Sequence, residues 1–201
     1  MSIYTAKTIL PSGGGTSVPG FTAPVKYAGR WYFNTTLNRT TSGDVNITPS
    51  QMTLDPTFMN VSPSSLLSSS STSFAIQCPV QGVYTFTWLA NGTMSIANGA
   101  VNNGCIYLGG HTYNGVQNVA LGSTPSVSYR LANNYINLSN PTGSTDTYAY
   151  ASTATATREF KAGDLIQPWM WCNSNTNSVQ GGNSASSIST ALTVVLNYQT
   201  A

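Results

Sequence analysis

The chain has 201 residues, which fits one domain or one domain with an arm, and 40% of them are hydrophobic, so a sizeable core can be buried. Only 6% are charged, against roughly 25% in ordinary soluble domains, and the net charge is +2 with the seven Lys and Arg scattered, which argues against the concentrated cationic face of a nucleic-acid binder. The polar surface must come instead from 26 Ser, 27 Thr and 19 Asn, residues of strands, turns and ordered loops, while 11 Tyr, 6 Phe and 4 Trp argue against disorder.

Residues 1–28 read as an N-terminal arm or linker, with Pro11, Gly13-Gly14-Gly15, Pro19, Gly20 and Pro24 and no sustained alternation. Residues 1–15 lack the apolar core of a signal peptide, and no run of about 18 apolar residues is present to insert in a membrane. From Gly29 to the end the pattern is that of strands and turns. Residues 29–33 form the first strand, with short candidates at 45–48 and 51–54, and residues 63–73 are a serine-rich loop. Residues 74–78 are followed by the clearest alternation in the chain, 83–89, in which Tyr84, Phe86 and Trp88 share one face and Thr85 and Thr87 the other. Further strands are expected at 105–108, 127–131, 135–138, 147–157, 165–171 and 190–198. Turns are expected at Asn98-Gly99, Asn102-Asn103-Gly104, Gly109-Gly110, Asn114-Gly115 and 141–143, and a polar loop at 173–187. No helix separates these strands, so a parallel sheet is disfavoured. The fold class is all-β, a single jelly-roll (antiparallel β-sandwich) over 29–201 with an extended N-terminal arm.

Two passages carry a family resemblance. Phe74-x-x-x-Cys78-Pro79-x-x-Gly82-x-Tyr84-x-Phe86 resembles the strand, tight turn and aromatic strand of C1q/TNF-like jelly rolls. Phe160-x-Ala162-Gly163-Asp164-x-Ile166 resembles the turn before a late strand there, and 190–198 sits where that superfamily has its final, central strand. Virus and phage surface proteins of the capsid, decoration and fibre-head kinds are similar in topology. The resemblance implies a homotrimer around a threefold axis, in which Tyr84, Phe86 and Trp88 serve either the core or the oligomer contact.

The residues offer little for chemistry. The five acids, Asp44, Asp55, Asp146, Glu159 and Asp164, form no calcium-loop pattern, and no C-x-x-C pair relates Cys78, Cys105 and Cys172. His111 is the single histidine, with no nucleophile elbow, phosphate loop or dinucleotide fingerprint to accompany it. The expectation is a non-enzyme with no catalytic, cofactor or metal site. Aromatic side chains among polar loops can stack on sugars, so His111, Tyr113, Trp169 and Trp171 are the candidate ligand residues, with a core role open for the two tryptophans. The expected function is that of a virion structural protein on the particle surface, assembling with itself and with other capsid or virion proteins and meeting a host surface glycan or receptor. A secreted, extracellular C1q/TNF-like or lectin-like binding module is the alternative.

Overall fold

The computed structural model describes residues 26–39, 42–141, 143–173, 177–179 and 190–200. The expected arm therefore lies outside the described residues, apart from its last three. In chain order the strands are β1 (Ala28–Phe33), β2 (Leu37–Arg39), β3 (Gly43–Asn46), β4 (Met52–Leu54), β5 (Ile76–Gln77), β6 (Gly82–Ile96) and β7 (Val101–Tyr113). They continue with β8 (Val116–Gln117), β9 (Arg130–Ser139), β10 (Asp146–Phe160), β11 (Leu165–Cys172), β12 (Asn177–Val179) and β13 (Ala191–Gln199). The serine-rich segment contains one turn of helix, α1 (Pro63–Leu66).

The strands form two antiparallel sheets packed face to face, a jelly roll. Sheet A runs β4-β1-β13-β6-β10, with β12 continuing the β13 edge of β6 and pairing on its far side with β2. Sheet B has β11 and β7 at its centre, with β3 and β5 along the outer edge of β11 and β9 and β8 along that of β7. The closing strand, β13, is central in sheet A.

Strict alternation along β6 builds the core. Tyr84, Phe86 and Trp88 are fully buried between the sheets, where Phe160 packs edge-on against Phe86 at 5.1 Å and against Tyr84 at 6.1 Å. Each such ring contributes about 1.5–3 kcal/mol by leaving water. The Trp88 indole N–H donates to the carbonyl of Trp169 at 3.2 Å, tying the two sheets together. Where a core strand meets a bulge, a side chain has no room: a Cβ on Gly82 would lie 2.6 Å from the Tyr198 carbonyl, so this glycine serves close approach to β13 rather than a turn.

The Asn114-Gly115 turn is real, with φ of 55° and 74°, the left-handed pair a tight hairpin needs. Asp164 locks it in place. Its buried carboxylate accepts from the backbone N–H groups of Asn114 (3.0 Å), Gly115 (2.9 Å) and Lys161 (2.9 Å), joining the β7–β8 and β10–β11 turns. Two other expected turns are not turns. Asn102-Asn103-Gly104 and Gly109-Gly110 lie inside the 13-residue β7, where a Cβ on Gly109 would meet Pro125 outside the sheet and one on Gly110 would meet Leu131 in the core. β6 likewise runs past Leu89 through Asn91-Gly92 to Ile96. The three cysteines are buried and form no disulfide.

Candidate functional site

Each sheet has an outward face, and the two faces differ. On sheet A, the side chains that alternate with the core residues of β6 are Thr85, Thr87, Leu89, Asn91, Thr93 and Ser95. Opposite them on β10 stand Thr157, Thr155, Thr153, Ala151, Ala149 and Thr147. On the β13 side Val195, Thr193 and Ala191 face Thr85, Thr87 and Leu89. No Asp, Glu, Lys or Arg occurs among these positions. Hydroxyl pairs stitch the strands, with Thr85 to Thr157 and Ser95 to Thr147 both at 2.9 Å and Asn197 donating to Thr85 at 2.9 Å. β10, 15 residues long, is hydrogen-bonded along one edge to β6, and its charged residues lie at its two ends. Thr, Ala and Ser keep the surface flat, and a long uncharged edge strand invites a partner. At the β1 border Arg30 is ion-paired with the buried Asp55, whose carboxyl is pulled below its ordinary range: burial opposes ionisation, but hydrogen bonds from Thr57 and Arg30 outweigh it.

Sheet B carries its aromatics outward. Registry puts Trp169 beside Tyr107, and Trp171 beside Cys105, with Tyr135 on the other side of Cys105. The Trp169 and Tyr107 rings stack in parallel at 6.0 Å. The Tyr107 hydroxyl donates to Asp44 at 2.7 Å, and the Arg130 guanidinium lies 4.1 Å from the Tyr107 ring centre and 3.8 Å from Asp44. Burial, with Asp44 adding to it, pushes the Tyr107 phenol far up, so it stays protonated and donates.

The residues singled out from the sequence divide clearly. Tyr84, Phe86 and Trp88 sit in the intersheet core, not on the outward face that a second copy would meet. His111 and Trp169 are not on an open loop. His111 is a strand residue of β7, fully buried, and Trp169 is nearly so. The Trp169 N–H donates to His111 Nε2 at 3.2 Å, and burial, opposed by backbone hydrogen bonds at Ala120 and Val119, pushes the imidazole below its ordinary pKa. Tyr113 packs edge-on against Phe160 at 5.6 Å with Arg158 above it. Trp171 lines an open cleft, with Asn103, Tyr135, Ile136 and Asn137. Tyr135 was not signalled by the sequence as a site residue, because only strand pairing places it near Trp171. Among the described residues no three His, Cys, Asp or Glu side chains come together to hold a metal. Among the described residues no helix is long and apolar enough to cross a membrane.

No known family model matches the chain, and no curated protein matches its sequence. Solved structures do match in shape. That of the Eiger TNF from S. frugiperda superposes with a TM-score of 0.53 over 89% of this chain and 96% of that one, at 10% identity. Identity this low speaks for the fold alone. The chain has the jelly-roll fold of TNF-like proteins.

Proposed function

We propose that this chain is a structural protein of a virion surface, a minor capsid, decoration or fibre-head jelly roll, that works by associating with itself as a homotrimer. The observation that carries the reading is the charge-free Thr/Ala face of β6, β10 and β13, bordered by the long edge of β10. A monomer in water gains nothing from so bare a face, whereas copies that bury it lose no ionic hydration. The TNF-like fold supports the same direction, and the 6% charge content suits permanent contacts that ignore salt. In this reading the chain binds and assembles and performs no catalysis. Native mass spectrometry of the full chain is expected to give three copies per particle. A monomer that persists to about 100 μM overturns the reading.

The fold likeness fits a secreted TNF-like binding module equally well. The two readings part on location. Antibody labelling of intact particles supports the virion role, and chain found only in particle-free medium supports the secreted one.

A further inference from the structure

On the outward side of sheet B the aromatics Trp171 and Tyr135 border an open cleft. Trp171 on β11 and Tyr135 on β9 stand on either side of Cys105 on β7. Two strand spacings separate them, roughly 9–10 Å between backbones. Cys105 is small and nearly fully buried, and the two aromatic residues on its flanking strands line the cleft. A flat ring held against aromatic carbon on both sides needs about 7–8 Å, two contact distances. Tyr135 is 61% exposed, so its ring is open to a ligand. The cleft measures about 310 Å³.

One end of the cleft is built of amides. Asn103 and Asn137 are directly opposed across β7 and β9 on the same face. The Asn103 backbone is fixed on both sides by Asn173, whose side-chain oxygen accepts from the Asn103 N–H at 2.7 Å and whose own N–H donates to the Asn103 carbonyl at 3.0 Å. The Asn103 side-chain oxygen is shielded from solvent and has no hydrogen-bond partner among the described residues. A shielded acceptor without a donor costs about 1–3 kcal/mol, and a rotation of the Asn103 amide toward the cleft would let a ligand hydroxyl supply that donor. The next outward positions along the strands are Tyr107 and Trp169, where Arg130 and Asp44 are paired to each other and so not available as a net charge.

From this we infer that the Trp171–Tyr135 cleft on the outward face of sheet B binds a neutral carbohydrate. A pyranose has an apolar face of C–H groups for the rings and hydroxyls that both donate and accept for the Asn103 and Asn137 amides. Phosphate, sulfate or sialic acid would find no uncompensated cation there. A proline-rich peptide also likes aromatic walls, but it brings no hydroxyl to the Asn103 oxygen. The inference rests on the proposed self-association in one respect: burying the outward face of sheet A leaves sheet B facing outward.

The test is a printed array of neutral, sialylated and sulfated oligosaccharides, probed with the full chain, followed by titration of the strongest neutral hit as a free methyl glycoside. Binding is expected to neutral glycans and to change less than twofold between 0.1 and 0.5 M NaCl. Tyr135→Ala and Trp171→Ala are each expected to weaken it at least tenfold. Tyr135 is exposed, so its truncation leaves folding intact, and an unchanged melting temperature and native mass verify this. An array without hits, binding confined to charged glycans, binding only to a proline-rich peptide control, or full affinity in Tyr135→Ala overturns the inference. Native mass reads the assembly separately: trimers without glycan binding sink only the cleft, and monomers sink the assembly whatever the array gives.

Discussion

His111 shows how one buried side chain fixes its own protonation. The Trp169 indole N–H can only donate, so His111 Nε2 must carry a lone pair. The ring proton then sits on Nδ1, which donates to the Ala120 carbonyl at 3.1 Å. A second proton would place two N–H groups nose to nose in a buried site. Burial disfavours the charged ring and outweighs the backbone hydrogen bonds, so the folded-state pKa lies below the unfolded value of 6.5. For a base lowered on folding, the unfolded chain takes up the proton first, so the stability is complete above pH 6.5 and declines as pH falls below it. The melting temperature of the wild type is expected to drop between pH 7 and pH 5. His111→Gln, which keeps an acceptor for Trp169, should cost about 1 kcal/mol at pH 8 and flatten that slope. Equal slopes in calorimetric scans of the two proteins would place the acid sensitivity elsewhere. The sequence presents His111 as a turn residue because Gly109-Gly110 precedes it, and leaves Trp169 open between ligand stacking and the core. What hides them is the 118–129 segment folded over sheet B, a non-local packing that no local pattern carries.

At the scale of the strand, alternation is informative only where one face is open. β6 shows it in full, since its core side is aromatic and its outward side is threonine, and the sequence reveals both the strand and its buried face. β7 is buried on both faces over most of its length, and its glycines resemble turn signals. They are there for want of space. A Cβ on Gly109 would meet Pro125 at 2.7 Å and the Trp169 ring at 3.2 Å, and one on Gly110 would meet Leu131 at 3.2 Å. Gly109→Val is therefore expected to overpack the outer layer by about 2 kcal/mol, roughly 4–8 °C in melting temperature for a chain of this size. Gly143→Ala, at a position with open space around it, is the matched control and should leave the melting temperature within about 2 °C. Equal melting temperatures for the two variants would mean that the covering segment yields freely. The Trp171–Tyr135 cleft was half legible for a related reason: Trp171 can be named from its strand, but Tyr135 joins it only through the pairing of β7 with both β11 and β9.

For the molecule as a whole, the two outward faces suggest a division of labour. Sheet A offers a flat face of hydroxyls and methyls with no charge to desolvate, and sheet B offers aromatic relief. If sheet A is where copies meet, its centre is the most sensitive place to introduce a charge. Thr155 and Thr87 are directly opposed near the middle of the β6–β10 ladder, and Thr193 on β13 faces Thr87 from the other side. Thr155 is exposed in the single chain, so Thr155→Arg should fold with a stability change within about 0.5 kcal/mol under conditions where the chain is monomeric. In an assembly it would bury an unpaired guanidinium once per subunit, at several kcal/mol per ion. Association should weaken by at least about a hundredfold, the equivalent of roughly 3 kcal/mol. Sedimentation velocity across a dilution series is the measurement, with an exposed arginine introduced on sheet B, Asn133→Arg, as the control for added charge. Raising the salt should not rescue Thr155→Arg, because the penalty is desolvation and not long-range repulsion. A Thr155→Arg protein that sediments like the wild type at every concentration would move the contact off this face.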